Sequence, residues 1–533
     1  MLNRLIDLSV RFRWIVALLA VALLAYGGAQ LAGLPIDAVP DITNRQVQIN
    51  TIAPALGPEE VERQVTFPVE TALAGIPGLV ETRSLSRHGF SQITAVFTDA
   101  TDLYFARNLI NERLQAARAT LPDGLEPSMG PPVTGLGEVY IWTVELSGPA
   151  ARPGAVYVTP EGDRLTTDIE KATYLRTVQD WIVAPQLKTL KGVAGVDVLG
   201  GYVKQYVVQP DPAKLSAFGI SLPQLIDALE HANRVEGAGY VQRGGEAYIV
   251  RADARVKTLA ELAETPVGRR GSAVIRVSDV ATVVVGQAPR LGSASDAGRE
   301  VVIGTALMLA GENSRTVAAR VGERLKEIQA SLPAGVVVKP VLDRTDLVDA
   351  TIRTVEHNLA FGALLVIAVL FVALGNIRAA IITALVIPLS FLFAAIAMRR
   401  FGISGNLMSL GALDFGLIVD GAVVVIENTL GRLALRRGEL GRSLDARERI
   451  EIAASSAREM ARPAAFGQAI ILMVYAPLLA FEGVEGKMFG PMAATVMFAL
   501  AGAFLLSLTF VPAMAALLIG EPKGHGEDRK SVV

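Results

Sequence analysis

Six apolar runs constrain this chain more than any other feature. The first occupies residues 14–33, and the others occupy 359–374, 379–398, 407–426, 463–481 and 492–519. About 20 apolar residues suffice to cross a bilayer as a helix, because every backbone polar group must be satisfied inside the segment. Arg4, Arg11 and Arg13 precede the first run. That run exceeds the roughly 7–15 residues of a signal-peptide core, so it reads as an uncleaved first span. Pro388, Pro477 and Pro512 fall inside runs, which bundled membrane helices tolerate. Residues 34–350 have ordinary soluble composition. The overall charged fraction of 19% therefore averages two regions and falls below the about 25% usual for soluble chains. A plain soluble enzyme and a disordered chain are both excluded. Fifty basic against 52 acidic residues give no nucleic-acid signal. The absence of cysteine removes disulfides, thiolate metal sites and cysteine catalysis.

Charge sets the orientation. Residues 431–462 carry Arg432, Arg436, Arg437, Arg442, Arg447, Arg449, Arg458 and Arg462, which marks this stretch as a cytoplasmic loop. Counting back places the N-terminus and Arg378 inside and residues 34–350 outside, with 521–533 as a cytoplasmic tail. Arg399 and Arg400 then face outward, against the rule. Residues 439–460 suit either an amphipathic helix on the inner surface or a solvated charged linker.

The external region reads as α+β. Alternation at 47–53, 80–86 and 91–97 predicts strands, and helices are expected at 58–74 and 102–121, the latter stopped by Pro122-Asp123-Gly124. This β-α-β-β-α order is a split βαβ pattern. It recurs with helices at 166–190 and 314–332 and strands at 196–199, 301–308 and 336–342. Two or three such subdomains are expected, one interrupted at about 188–278. No phosphate loop, serine elbow or HExxH motif occurs, and His88, His231, His357 and His525 are scattered.

The fourth run contains Asp414 and Asp420 and ends at Glu427. A central aspartate costs roughly 2.5–3.5 kcal/mol on an insertion scale, while each strongly apolar residue returns about 0.3–0.6. Two aspartates cancel most of what about ten such residues supply, so this helix is expected to shelter inside a bundle. Asp420 and Glu427, seven apart, share a helix face about 10 Å apart along the axis; Asp414 lies about 9 Å from Asp420, rotated by about 120°. Ionisable groups inside spans mark proton relays, and that role is expected for all three. The alternative is that they are held neutral or paired to fix packing, and Glu427 equally suits an interface position. The six runs hold no clear mid-helix lysine or arginine, so the counter-cation is expected outside this chain.

One helix, a large external domain and five further helices resemble the N-terminal half of a resistance–nodulation–division (RND) exporter. The motif Leu34-Pro35-Ile36-Asp37-Ala38-Val39-Pro40-Asp41-Ile42-Thr43 resembles the heavy-metal branch, as do Asn406-Leu407-Met408-Ser409-Leu410-Gly411 and Gly483-Val484-Glu485-Gly486-Lys487-Met488-Phe489. Asp414-Phe415-Gly416, Asp420-Gly421-Ala422 and Glu427-Asn428 are similar to the cobalt–zinc–cadmium exporter (CzcA) type, with Ile426 in place of a valine. Drug-exporting relatives carry adjacent aspartates where this chain has Asp420-Gly421. Copper and silver exporters lack the acid matching Asp414.

The resemblance implies a proton-driven exporter of divalent metal cations (zinc, cobalt, cadmium or nickel) in the bacterial inner membrane. Its α+β domain would be a periplasmic porter domain with a docking insertion. It implies a homotrimer, a periplasmic adaptor protein, an outer-membrane channel and no cofactor, the metal being cargo. By the same resemblance, Glu138 and Asp180 are candidate metal ligands; ordinary surface or helix-cap acids are the competing reading. Exporters of this type have two such halves, so the chain is expected to be truncated, split or paired with a second RND half. Three other readings compete: an exporter of hydrophobic compounds, a protein-translocation accessory factor and a non-transporting scaffold.

Overall fold

The computed structural model describes residues 2–37, 39–152, 154–233, 235–253, 255–290 and 292–519, so the tail at 521–533 lies outside the described residues. The alternating stretch at 45–52 forms strand Arg45–Ile52, whose inward side chains Val47 and Ile49 are almost fully buried. It lies between Phe90–Phe97 and the short Ser128–Met129, and Leu79–Arg87 completes a four-stranded antiparallel sheet. Val61, Val65, Val69 and Leu73 cover one face, together with Ala106, Ile110 and Leu114 of helix Leu103–Ala117. A strict four-residue repeat drifts about 40° per step around an α-helix. The π turn Glu62–Thr66 is more loosely wound and turns the stripe back toward the sheet. Asp102 caps the second helix through the Phe105 amide at 2.8 Å.

A second sheet repeats that strand order. Val193–Leu199, Arg299–Met308, Glu138–Leu146 and Val336–Asp343 lie side by side, all antiparallel, and Ala294–Asp296 adds to the same edge as Val193–Leu199. Helical residues 168–188 and helix Ser314–Ser331 pack on it through Leu175, Val178, Leu187, Val317, Val321 and Leu325. Its central strand, Glu138–Leu146, was not among the expected strands. Trp142 there is fully buried and lies so close over Gly304 that a methyl group on that glycine would meet the indole. Val193–Leu199 belongs to this sheet, so the interruption spans 200–293 rather than about 188–278. Its two-stranded base pairs Lys204–Pro210 with Ala281–Gln287, and Leu215, Leu225, Ile275, Val277 and Val280 form a small core.

Six helical segments among the described residues are long and apolar enough to span a membrane: Arg13–Ala32, Arg344–Val369, Ile377–Arg400, Leu407–Leu440, Ala446–Ala480 and Gly483–Leu508. Helix Leu2–Arg11 precedes them and buries Ile6, Ser9 and Val10, a packing partner the sequence reading did not include. The stretch read as a 431–462 loop is almost entirely helical. Helix Phe415–Leu440 ends at Gly441 in the left-handed conformation, and Ala446–Tyr475 begins after the cap Asp445. Both helices run past the apolar segment because nothing in their charged ends breaks a helix, and Arg442 with Glu448 spans the turn at 2.8 Å. Arg399, expected to face outward against the rule, has defined partners. Its Nη1 donates to the Gln30 carbonyl at 3.4 Å, and its guanidinium covers Gly33 at the C-terminus of the first span, where a cation complements the helix dipole. The last span breaks at Thr509 because Pro512 offers no N–H to the Leu508 carbonyl; Ser9 Oγ lies 3.5 Å from that oxygen.

Candidate functional site

The fourth span is two helices rather than one. Asn406 caps Leu407–Gly411 reciprocally with Ser409, and both side chains are buried. The chain then turns at residues 412–414, and Asp414 caps Phe415–Leu440 by accepting the Gly416 amide at 2.8 Å. Asp414 therefore sits just outside the longer helix, with its carboxylate at the positive end of the helix dipole. Gly416 and Gly421 leave room beside the two aspartates, the nearest neighbour of Gly421 being Ser507.

Helix Phe415–Leu440 packs through Ile418, Val419, Ala422, Val425, Ile426, Thr429 and Leu433. The bundle expected to shelter the acids covers this apolar face. Asp414, Asp420 and Glu427 are all exposed, the last two on one face of the helix and Asp414 at its start. Asp420 and Glu427 have no hydrogen-bond or ion-pair partner among the described residues. Seven residues of unbroken helix set them about 10 Å apart along the axis. An open carboxylate row on a membrane helix can take up and release protons or pair with a cation presented from outside, and it is unsuited to lie against lipid.

This helix also makes polar contacts that are not read from its sequence. Asn428 Nδ2 donates to Glu459 Oε2 at 3.0 Å and to the Ser456 carbonyl at 3.3 Å, and Arg432 pairs with Glu459 at 2.5 Å. Gln468 is buried and donates to the Leu417 carbonyl at 3.4 Å. Buried polar residues in an apolar stretch were the available signal.

The external candidates occupy different settings. Glu138 is exposed at the start of the central strand of the second sheet. Asp180, in the π turn Gln179–Val183, accepts Arg176 Nε at 2.8 Å, with side chains 20% and 28% exposed. Arg176 also reaches the Gly200 carbonyl at 3.0 Å. A cleft of about 200 Å³ beside Arg176 is lined by Gly200, Gly201, Tyr202 and Arg290, and Asp180 does not line it. Neighbouring Gln179 accepts the Trp142 indole N–H at 2.9 Å. Trp142 is four residues, roughly 13 Å of strand, from Glu138. Among the described residues no three His, Asp or Glu side chains converge on a metal-sized site.

A family model described as AcrB/AcrD/AcrF matches residues 5–531. The chain belongs to this family. Within the AcrB/AcrD/AcrF family it is 54% identical over 541 residues to the nickel-cobalt-cadmium resistance protein NccA of Alcaligenes xylosoxydans xylosoxydans, covering 99% of this chain and 50% of that protein. It is 48% identical over 529 residues to the cobalt-zinc-cadmium resistance protein CzcA of Cupriavidus metallidurans, covering 99% and 49%. A crystal structure of a heavy metal efflux pump superposes with a TM-score of 0.81 at 37% identity, covering 96% of this chain and 48% of that one. The chain thus spans about half the length of the curated relatives it matches. The resemblance to the heavy-metal RND branch, read from motifs around Asp37, Asp414 and Lys487, holds.

Proposed function

We propose that this chain is the N-terminal half of a proton-driven RND exporter of divalent heavy-metal cations of the zinc, cobalt, cadmium and nickel class. The observation that carries the reading is the 54% identity, over 99% of the chain, to a protein named for nickel, cobalt and cadmium resistance. Asp420 is the central proton carrier, with Asp414 toward the exterior and Glu427 toward the cytoplasm. The exposure of all three supports this role, with Asp420 and Glu427 on one face of the helix and Asp414 at its start, because a second RND half packed there would bring the cation and the low-dielectric cover that a relay needs.

The chain sits in the bacterial inner membrane with its α+β domain in the periplasm; the arginines between 431 and 462 support that orientation. The matching strand orders of the two sheets support reading them as split-βαβ porter subdomains, with 200–293 as the docking insertion. The working assembly is a homotrimer with a periplasmic adaptor and an outer-membrane channel. Glu138 and Asp180 contribute oxygen ligands to the passing ion, which suits hard and borderline cations. Asp180 does so by leaving Arg176. The export reading is tested with Asp420→Asn in the complete pump: zinc, cobalt and nickel tolerance should fall to that of cells without the pump, at unchanged protein level. Unchanged tolerance would count against the relay.

A further inference from the structure

An exporter of this kind must transmit movement between its external domain and its spans, and the chain crosses that boundary at few points. After the first span, residues 34–37 run alongside Gly405, the residue before the cap of the fourth span. The Asp37 amide donates to the Gly405 carbonyl at 3.0 Å, and the Gly405 amide donates to the Pro35 carbonyl at 2.8 Å. The Asp37 carboxylate accepts Ser314 Oγ at 2.5 Å. Ser314 is the first residue of helix Ser314–Ser331 in the second sheet subdomain. Arg344 Nε lies 3.7 Å from the same carboxylate oxygen, and Arg344 begins helix Arg344–Leu374, which becomes the second span. Asp37 thus reaches the approach to the fourth span through its backbone amide, and its carboxylate is bonded to a porter helix and faces the first residue of the second-span helix.

Two other ion pairs cross the boundary. Arg315 with Asp349 is exposed on both sides, and an exposed pair is weakly held. Lys487, at the start of the last span, pairs with Asp99 at 2.6 Å and also donates to the Thr43 carbonyl and Asn44 Oδ1. Asp37 differs from both. Its side chain is 22% exposed and that of Arg344 is 11% exposed, and burial pushes its carboxyl above the usual range despite both neighbours. Arg344 Nε and the adjacent Thr345 Oγ1 are buried without a hydrogen-bond partner among the described residues. The carboxylate is bonded to the porter helix and stands about 1 Å short of a charge-assisted bond to the span helix.

We propose that Asp37 is the positioning residue that couples the porter helix to the spans, its carboxylate held by Ser314 in the present state and moving onto Arg344 when helix Ser314–Ser331 shifts. The inference rests on the exporter reading, since only a cycling transporter has two such states. The differential contact is a neutral hydroxyl in one state and a guanidinium in the other, which is what biases a two-state element.

The test uses the complete pump in proteoliposomes with zinc as the probe. Asp37→Asn keeps a partner for Ser314 but removes the charge that Arg344 attracts. It should cut zinc transport at least tenfold while zinc affinity by calorimetry stays within twofold and the melting temperature holds. Asp37→Glu should retain part of the transport. Because this chain has no cysteine, spin labels placed with Lys326→Cys and Glu356→Cys report the distance from porter helix to span helix. Two distances should appear under a proton gradient with zinc, collapsing to one in Asp37→Asn. Wild-type transport rates in Asp37→Asn, or transport lost only together with zinc affinity and melting temperature, overturn the coupling role. Asp420→Asn in the same vesicles separates the two ideas. If wild type carries zinc, Asp420→Asn does not and Asp37→Asn does, the coupling proposal alone falls. If wild type carries no zinc, the exporter reading falls and takes this proposal with it.

Discussion

Among the described residues Asp420 and Glu427 have no partner on the open face of helix Phe415–Leu440, whereas Asp37 is hemmed in by Ser314, Arg344 and the Gly405 backbone. The contrast lies in what each acid can exchange. An acid with no partner in its own chain is free to trade a proton or a counter-cation with whatever packs against it. An acid held between two elements can change only by moving one relative to the other. On the proposed reading, proton chemistry sits on a helix face and mechanical linkage at a joint.

The comparison breaks most visibly if Asp420 proves dispensable. Asp420→Asn should abolish metal tolerance, and Glu427→Gln should reduce it less, because Glu427 lies nearer the arginine-rich C-terminal part of the helix; equal effects in growth assays would merge the two roles. Next in size is the external pair. Glu138→Ala with Asp180→Ala should weaken zinc binding by about tenfold or more in calorimetry. Arg176→Gln should tighten it, because the guanidinium competes with the metal for Asp180. No change in either variant would leave Asp180 as half of a structural ion pair.

Asp414 sharpens the contrast, since it both caps a helix and belongs to the acid row. Asp414→Ala should destabilise by about 1 kcal/mol, the usual loss of an N-cap, while Asp414→Asn keeps the cap and should melt like wild type. If Asp414→Asn also transports like wild type, its place in the relay is lost and only the cap remains. The smallest effect concerns Asp37 and pH. Its carboxyl keeps its proton longer in the folded chain than in the unfolded one. Below the ordinary carboxylate range both states are protonated and no penalty exists; as pH rises through that range toward the raised folded value, ionisation disfavours the folded state. Asp37→Asn should therefore melt no lower than wild type at pH 7, and any gain should fade toward pH 4. A lower melting temperature at pH 7 would mean that the charge stabilises the joint.

Much of this was legible in the residues. Apolar run lengths marked six spans, because a bilayer demands internally bonded segments of one length. Periods of two and of about 3.6 marked most strands and helices of the external domain, since burial on one face imposes them. Strand Glu138–Leu146 escaped because its burial pattern, with Val139, Tyr140, Trp142, Thr143 and Val144 all buried, departs from simple alternation. Of the two readings of 439–460 the helical one matches from Ala446 onward, because charge signals solvation but does not end a helix.

The sequence by itself determined the spans, the acid row at Asp414, Asp420 and Glu427, and the kinship with metal-efflux RND chains, because each is written in local spacing and residue type. The tertiary structure decided which face of the fourth span is open, that Asp180 is engaged by Arg176, and that Arg399 meets the end of the first span. It also decided that Asp37 meets Ser314 across 277 residues of chain. Contacts of that separation depend on how whole elements pack, and no local pattern records which surfaces packing will bring together.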